Sequence, residues 1–217
     1  MKRHALPVFL LLAFCCAIFS STVSAAPVGR AAADFGNARP DRTETAWGRL
    51  VTDALLFATK ADIALVNAGA LKGGVLRAGD VSQNQINALL TFPGDDVVTI
   101  TISGAQLRAA LERAVQAYPT GSTAFLHSAG FSAAWNTQAP INERLTMLRI
   151  NGREVQNGDS IQAAMPLPLA RGASGYSTIW PEAKAENSRE DISEAITNWI
   201  KSQGTVSPES TPRFAPQ

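Results

Sequence analysis

The apolar positions of this chain change period several times, and each change marks an element. Trp47, Leu50, Val51, Ala54, Leu55 and Ala58 recur at helical spacing and predict an amphipathic helix ending near Lys60. Thr43 or Thr45 can cap it, with Glu44 favourable in its first turn. Ile63, Ala64, Leu65 and Val66 then run unbroken behind Asp62, the composition of a buried strand. Gly79-Asp80-Val81-Ser82 turns into a short helix capped by Ser82, with Ile86, Leu89 and Leu90 on its apolar face. Phe92-Pro93-Gly94-Asp95 breaks that helix. Residues 97–103 (VVTITIS) are β-branched and alternating, which predicts a strand with one polar face. Gly104 opens a second amphipathic helix through Leu107, Ala110, Leu111, Ala114 and Val115, stopped by Tyr118-Pro119.

Alternation resumes over residues 124–135 and again over 145–150, both read as strands. Asn151-Gly152 is the strongest hairpin signal in the chain and joins 147–150 to Glu154-Val155. A further strand over 160–165 runs into Pro166 and Pro168. The segment from Arg171 to Tyr176 is a glycine-punctuated loop. Ser188 is the predicted cap of a last helix that buries Ile192, Ala195, Ile196, Trp199 and Ile200. Helices and strands mixed this irregularly, with at least one hairpin, predict an α+β fold with a mixed sheet and packed helices. Residues 26–41 show no period and read as a linker; residues 204–217 are polar and Pro-rich and read as a flexible tail. The domain is expected over 42–203.

Residues 1–25 read as a secretory signal peptide. They have a basic start (Lys2, Arg3, His4), an apolar run from Leu6 to Phe19 and small residues at Val23-Ser24-Ala25. The run is short for a bilayer, which needs ~20 apolar residues. Ala13-Phe14 ahead of Cys15 and Cys16 does not suit a lipoprotein cleavage site. A soluble periplasmic or secreted protein is therefore expected, with no membrane partner. Cleavage removes both cysteines and His4 and leaves His127 alone. That excludes disulfides, thiolate catalysis and cysteine-ligated zinc, together with any histidine-rich metal site, so no cofactor is expected. Losing Lys2 and Arg3 from the 19 basic residues leaves 17 against 18 acidic ones. A near-neutral chain has no general pull toward nucleic acid.

Candidate chemistry begins at ADIALVNAGALK, residues 61–72. A buried strand that delivers Asn67, Gly69 and Lys72 to its end can build a site for an anionic or hydroxyl-rich ligand. The same residues also fit a tight loop with Lys72 solvated. His127 sits in an alternating strand with no nucleophile elbow nearby and reads as structural. Asp95-Asp96 reads as a solvated loop, since neighbouring carboxylates in a strand point to opposite faces. The 171–176 loop lacks a P-loop ending, yet can bring backbone N–H groups and Tyr176 near a ligand. These pieces suit binding better than catalysis.

The order of the motifs is more specific than any one of them. Residues 44–54 (ETAWGRLVTDA) resemble the entry helix of the C-terminal domain of the 5′-nucleotidase/UDP-sugar hydrolase family. Residues 62–72 resemble that family's AD…NAGGIR stretch. Gly79-Asp80-Val81, Phe92 and 102–107 (ISGAQL) resemble its next helix, PFGN loop and LTGAQL junction, and 172–176 its GGDGY loop. The closing Trp199-Ile200, Gly204, Pro208 and Pro212-Arg213 are similar too, so the resemblance spans 42–214.

The resemblance implies a domain that binds the nucleoside or sugar part of a nucleotide-like small molecule. The metal-bearing metallophosphoesterase domain of that family is not among these motifs, which implies a separately encoded partner and no catalysis by this chain alone. The implied substrate-binding residues are Asn67, Gly69, Lys72, Phe92, Asp95, Gly130, Gly172, Ser174 and Tyr176. Three of these positions depart from the family. Lys72 replaces an arginine and loses the planar fork that grips an anion. Ser174 replaces the aspartate of GGDGY, and Asp95 or Gly94 the asparagine of PFGN. Leu167 and Leu169 also stand where a second stacking aromatic is implied, a loss of ~1–3 kcal/mol per stacked base. The other implied role is that of a non-catalytic module for another small ligand or protein.

Overall fold

The computed structural model describes residues 26–180 and 184–217. The segment read as a signal peptide, with His4, Cys15 and Cys16, lies outside the described residues. Structure begins earlier than the periodicity suggests. Residues 26–41 carry β1 (Gly29–Ala31) and β2 (Phe35–Asn37), and Ala31, Phe35 and Asn37 are buried. Three-residue strands are too short to display an alternation, which is why this stretch reads as a linker.

Helix α1 (Ala46–Thr59) is capped by Thr45, whose hydroxyl accepts from the Gly48 amide at 3.0 Å. Glu44 therefore precedes the cap instead of lying in the first turn. Strand β3 (Ile63–Asn67) follows, buried at every position. β4 (Gly74–Leu76) and β5 (Gly79–Val81) lead into α2 (Gln83–Ala88), where Ser82 and Gln85 form a capping box. β6 (Asp96–Ser103) runs into α3 (Gly104–Val115) through a second capping box of Ser103 and Gln106.

The expected strand over 124–135 is split into β7 (Leu126–Ala129) and β8 (Phe131–Trp135). The break is Gly130, with φ +85°, where a Cβ would lie 2.3 Å from the Asp62 carbonyl oxygen. β9 (Leu145–Ile150) and β10 (Arg153–Glu154) form the hairpin, with φ of +50° at Asn151 and +77° at Gly152. β11 (Ser160–Pro166) ends in α4 (Leu167–Ala170). β12 (Glu186–Asp191) precedes α5 (Ile192–Gln203). The cap of α5 is Asp191, in a capping box with Glu194, and Ser188 lies inside β12. The D-x-x-E pattern was present in the sequence to be read. β13 (Thr205–Val206) and β14 (Phe214–Pro216) occupy the segment read as a flexible tail, where Phe214 is buried.

The main sheet has the order β12-β6-β11-β3-β7, parallel between β11 and β3 and antiparallel elsewhere. It is a mixed sheet in an α+β fold. Ile63 and Leu65 of β3 pack with α3 residues in one core, Ala64 and Val66 with α1 and α5 residues in the other. Burial on both faces explains the unbroken apolar run.

Near the ends of the described residues, β13 pairs with β1 and β14 with β8, both parallel, in two further sheets. Arg213 forks onto Asp53 at 2.7 and 3.0 Å. His127 is wholly buried under α1; its Nδ1 accepts from the Thr45 amide at 3.3 Å, and Nε2 lies 3.1 Å from the Pro40 carbonyl. A Cβ at Gly48 would sit 2.0 Å from His127 Nδ1. Glycine to alanine inside a helix usually stabilises by about 0.5–1 kcal/mol. Here Gly48→Ala is expected to destabilise by about 1–3 kcal/mol through overpacking. Thermal melts decide between the two signs.

Candidate functional site

Asn67 ends β3, and its side chain is set by three turns that meet there. The Asn67 amide nitrogen donates to the Thr123 carbonyl at 3.1 Å and to Ser174 Oγ at 3.2 Å. The Gly69 N–H donates to the same Thr123 carbonyl at 3.1 Å. A Cβ at Gly69 would lie 3.0 Å from the Asn67 amide nitrogen and 3.3 Å from Thr123 Cβ, so the glycine keeps this corner closed. With both amide hydrogens used, Asn67 Oδ1 accepts no hydrogen bond among the described residues and is left to accept from a ligand.

A cavity of about 260 Å³ opens at this corner, lined by Asn67, Gly69, Ala70, Phe92, Asp95, Thr123, Pro166, Pro168, Ala173 and Ser174. Phe92 reaches it because its loop is strapped to the β3 turn: Lys72 N–H donates to Leu89 O at 3.0 Å and Thr91 N–H to Ala70 O at 2.9 Å. Phe92 is 59% exposed. Burial raises the Asp95 carboxyl above its ordinary range, and the neighbouring Asp96 charge adds to the rise. Ser174 comes from a loop with positive φ at Gly172 (+89°), Ser174 (+57°) and Gly175 (+82°).

Five of the nine residues named from the sequence thus line one cavity: Asn67, Gly69, Phe92, Asp95 and Ser174. The other four lie elsewhere. Lys72 is exposed and outside the lining; its carbonyl accepts from Asn37 Nδ2 at 2.6 Å. Gly130 sits at the opposite end of β3, since Ala129 pairs with Ala64 and Leu126 with Asn67. Gly172 makes the turn behind Ser174, where a Cβ would strike the Ser177 backbone at 2.5 Å. Tyr176 is wholly buried, donates to the Ala124 carbonyl at 2.6 Å and stacks on Trp180 at 4.9 Å. Burial holds its phenol well above the usual tyrosine range, so it is a core residue.

Thr123, Pro166 and Pro168 were not singled out as site residues. Thr123 contributes a backbone carbonyl, which has no sequence signature. Leu169, where the resemblance implies a second aromatic, is buried in the core, and Pro168 beside it faces the cavity. The walls offer an aromatic ring, two prolines, an amide, a hydroxyl and a carboxylate, with no lysine or arginine among the lining residues. Such a site takes a flat, neutral group that can donate and accept hydrogen bonds.

The same α+β frame occurs in larger solved proteins. A 5′-nucleotidase precursor from Thermus thermophilus superposes with a TM-score of 0.82 at 21% identity, over 88% of this chain and 39% of that one. The NAD nucleotidase of Haemophilus influenzae gives 0.75 at 20%, over 88% and 38%. The Thermus thermophilus sulfate thiohydrolase SoxB gives 0.68 at 18%, over 88% and 35%. Residues 24–180 match the family described as "5′-nucleotidase, C-terminal domain", and the chain belongs to that family. Among curated relatives, the trifunctional nucleotide phosphoesterase YfkN of Bacillus subtilis is 26% identical over 176 residues, 76% of this chain and 12% of its own length. A 5′-nucleotidase of Vibrio parahaemolyticus is 25% identical over 163 residues, 75% of this chain and 28% of its own length. The chain thus spans well under half of each of these relatives.

Proposed function

We propose that this chain is an exported domain that binds the nucleoside part of a nucleotide or nucleotide sugar. In this reading it acts in nucleotide breakdown with a separately encoded metallophosphoesterase and is not catalytic alone. The observation that carries the reading is the exposed Phe92 ring on a wall shared with Pro168, Asn67 and Ser174. A base stacks on the ring while the polar groups meet its edge or the ribose. The volume is below the ~300–1,000 Å³ of pockets that enclose a whole ligand, so one ring of the ligand fits and the rest projects outward. Asp95, with no cation beside it in the lining, repels a phosphate, which therefore stays at the mouth. His127 supports the non-catalytic part of the proposal, because both its ring nitrogens are held inside the core.

Calorimetry and thermal shifts with adenosine, uridine, AMP and UDP-glucose test the reading. Wild-type protein is expected to be stabilised by the nucleosides. Phe92→Ala is expected to lose ~1–3 kcal/mol of binding free energy, and Lys72→Ala none. No stabilisation by any of the four ligands would sink the proposal. Phosphate release by the isolated, metal-loaded protein would overturn the non-catalytic part. A second reading, a module for a different small ligand, draws support from Ser174 and the two leucines at positions where the family carries an aspartate and an aromatic. Ligands other than nucleosides stabilising the protein would favour it.

A further inference from the structure

Ser174 stands with φ +57°, a left-handed backbone that residues other than glycine seldom adopt. Gly172 and Gly175 on either side are left-handed as well, so the loop has little intrinsic preference for this path. Beside the Ser174 Oγ contacts with Asn67 and Thr123 and the Tyr176 hydroxyl on the Ala124 carbonyl, the clamp on the Ser174 backbone carbonyl comes from α3. Arg113 Nε donates to the Ser174 carbonyl at 2.9 Å, and Nη2 donates to the same oxygen. The guanidinium carbon lies 5.7 Å from the centroid of the Tyr176 ring. A Cβ at Gly175 would come within 2.0 Å of Arg113 Nη2, so glycine there is what lets the arginine reach the carbonyl. Arg113 itself does not line the cavity.

We propose that Arg113 is the positioning residue of the cavity. It fixes the Ser174 backbone, which holds Oγ against the Asn67 amide and so turns Asn67 Oδ1 toward a ligand that donates a hydrogen bond, such as a ribose hydroxyl or a base amine. The ligand class rests on the nucleoside reading of the cavity; the positioning does not. A cation on one helix thus shapes a site that itself holds no lysine or arginine, without touching what binds there. Charge-assisted hydrogen bonds to a single carbonyl are strong enough for this role.

The test uses the full chain as wild type, Arg113→Ala, Arg113→Lys, Ser174→Ala and the double variant Arg113→Ala/Ser174→Ala. Hydrogen exchange over 172–177 is read without ligand, where the Tyr176 and Ser177 amides bond the Gly172 carbonyl. Arg113→Ala is expected to speed exchange there by about tenfold while β3 keeps its protection. Its adenosine affinity is expected to fall about tenfold, Arg113→Lys to recover part of it, and the effect to shrink to about twofold or less in the Ser174→Ala background. Unchanged exchange over 172–177 in Arg113→Ala overturns the proposal. So does an undiminished Arg113→Ala effect when Ser174 is already alanine. If wild type binds neither adenosine nor uridine, the nucleoside reading falls, and the exchange measurement alone decides the positioning role. If Arg113→Ala does not fold, Arg113→Gln takes its place in every comparison.

Discussion

Glu44→Ala is expected to destabilise the domain by about 3–5 kcal/mol. The carboxylate is buried and gathers groups from three parts of the chain. Oε1 accepts from the Ser128 amide at 3.1 Å and the Ser128 hydroxyl at 2.6 Å. Oε2 accepts from the Arg213 amide at 2.6 Å and the Phe214 amide at 3.4 Å, with Arg49 Nη1 at 3.7 Å. Burial raises the Glu44 carboxyl above its ordinary range despite these partners. Placing the charge inside is therefore costly, and removing it is worse. Four donors and a buried guanidinium would lose their acceptor together, and the start of β14 would lose its tie to β7. At this chain length the melting temperature is expected to fall by roughly 10 °C. A urea midpoint corresponding to less than about 1 kcal/mol of change would show that the donors find other partners.

Acidification is expected to cost about 3 kcal/mol through His127. Burial holds its pKa at about 4, down from 6.5. The folded pKa is depressed, so the stability this group contributes is present above about 6.5 and is lost as pH falls toward 4. The chemistry agrees with the sign. Nδ1 accepts from the Thr45 amide, so a proton there would set two donors face to face under α1. Glu44 and Asp53, both raised mainly by burial, act in the opposite direction, because their penalty is relieved as pH falls through their folded pKa values. Comparing wild type with His127→Gln isolates the histidine. Urea unfolding at about pH 7 and about pH 4.5 is expected to show a steep loss in wild type and a shallow one in the variant. Equal slopes in the two proteins would refute this account.

The helices were readable because their signals are local. Ser82-x-x-Gln85 and Ser103-x-x-Gln106 are complete within four residues; the Ser82 cap formed as expected, and Ser103, expected only as the last strand residue, caps the helix that Gly104 opens. The short strands at both ends were not readable. β1 pairs with β13 and β14 with β8, partners that lie about 80 residues or more away in the chain and carry no mark of each other. The candidate site divides along the same line. Asn67 and Gly69 follow directly from a buried strand that stops in a turn. Tyr176 belongs to a glycine-rich loop and looked available to a ligand; its packing on Trp180 and beneath Arg113 buries it.

By itself, the sequence determined that residues 63–66 run as a buried strand, and that Asn67 and Gly69 turn the chain at its end. An apolar run has few places to go, and small polar residues after it can make a sharp turn. Which side chains share the cavity was decided only in three dimensions. Lys72, five residues from Asn67, lies outside it, while Ser174, more than a hundred residues away, hydrogen-bonds Asn67. The reason is physical. A loop's side-chain directions are set by what clamps its backbone, and here the clamps are the Thr123 carbonyl, the strap to Leu89 and Ala70, and the Arg113 guanidinium, none of them local to the residues they orient.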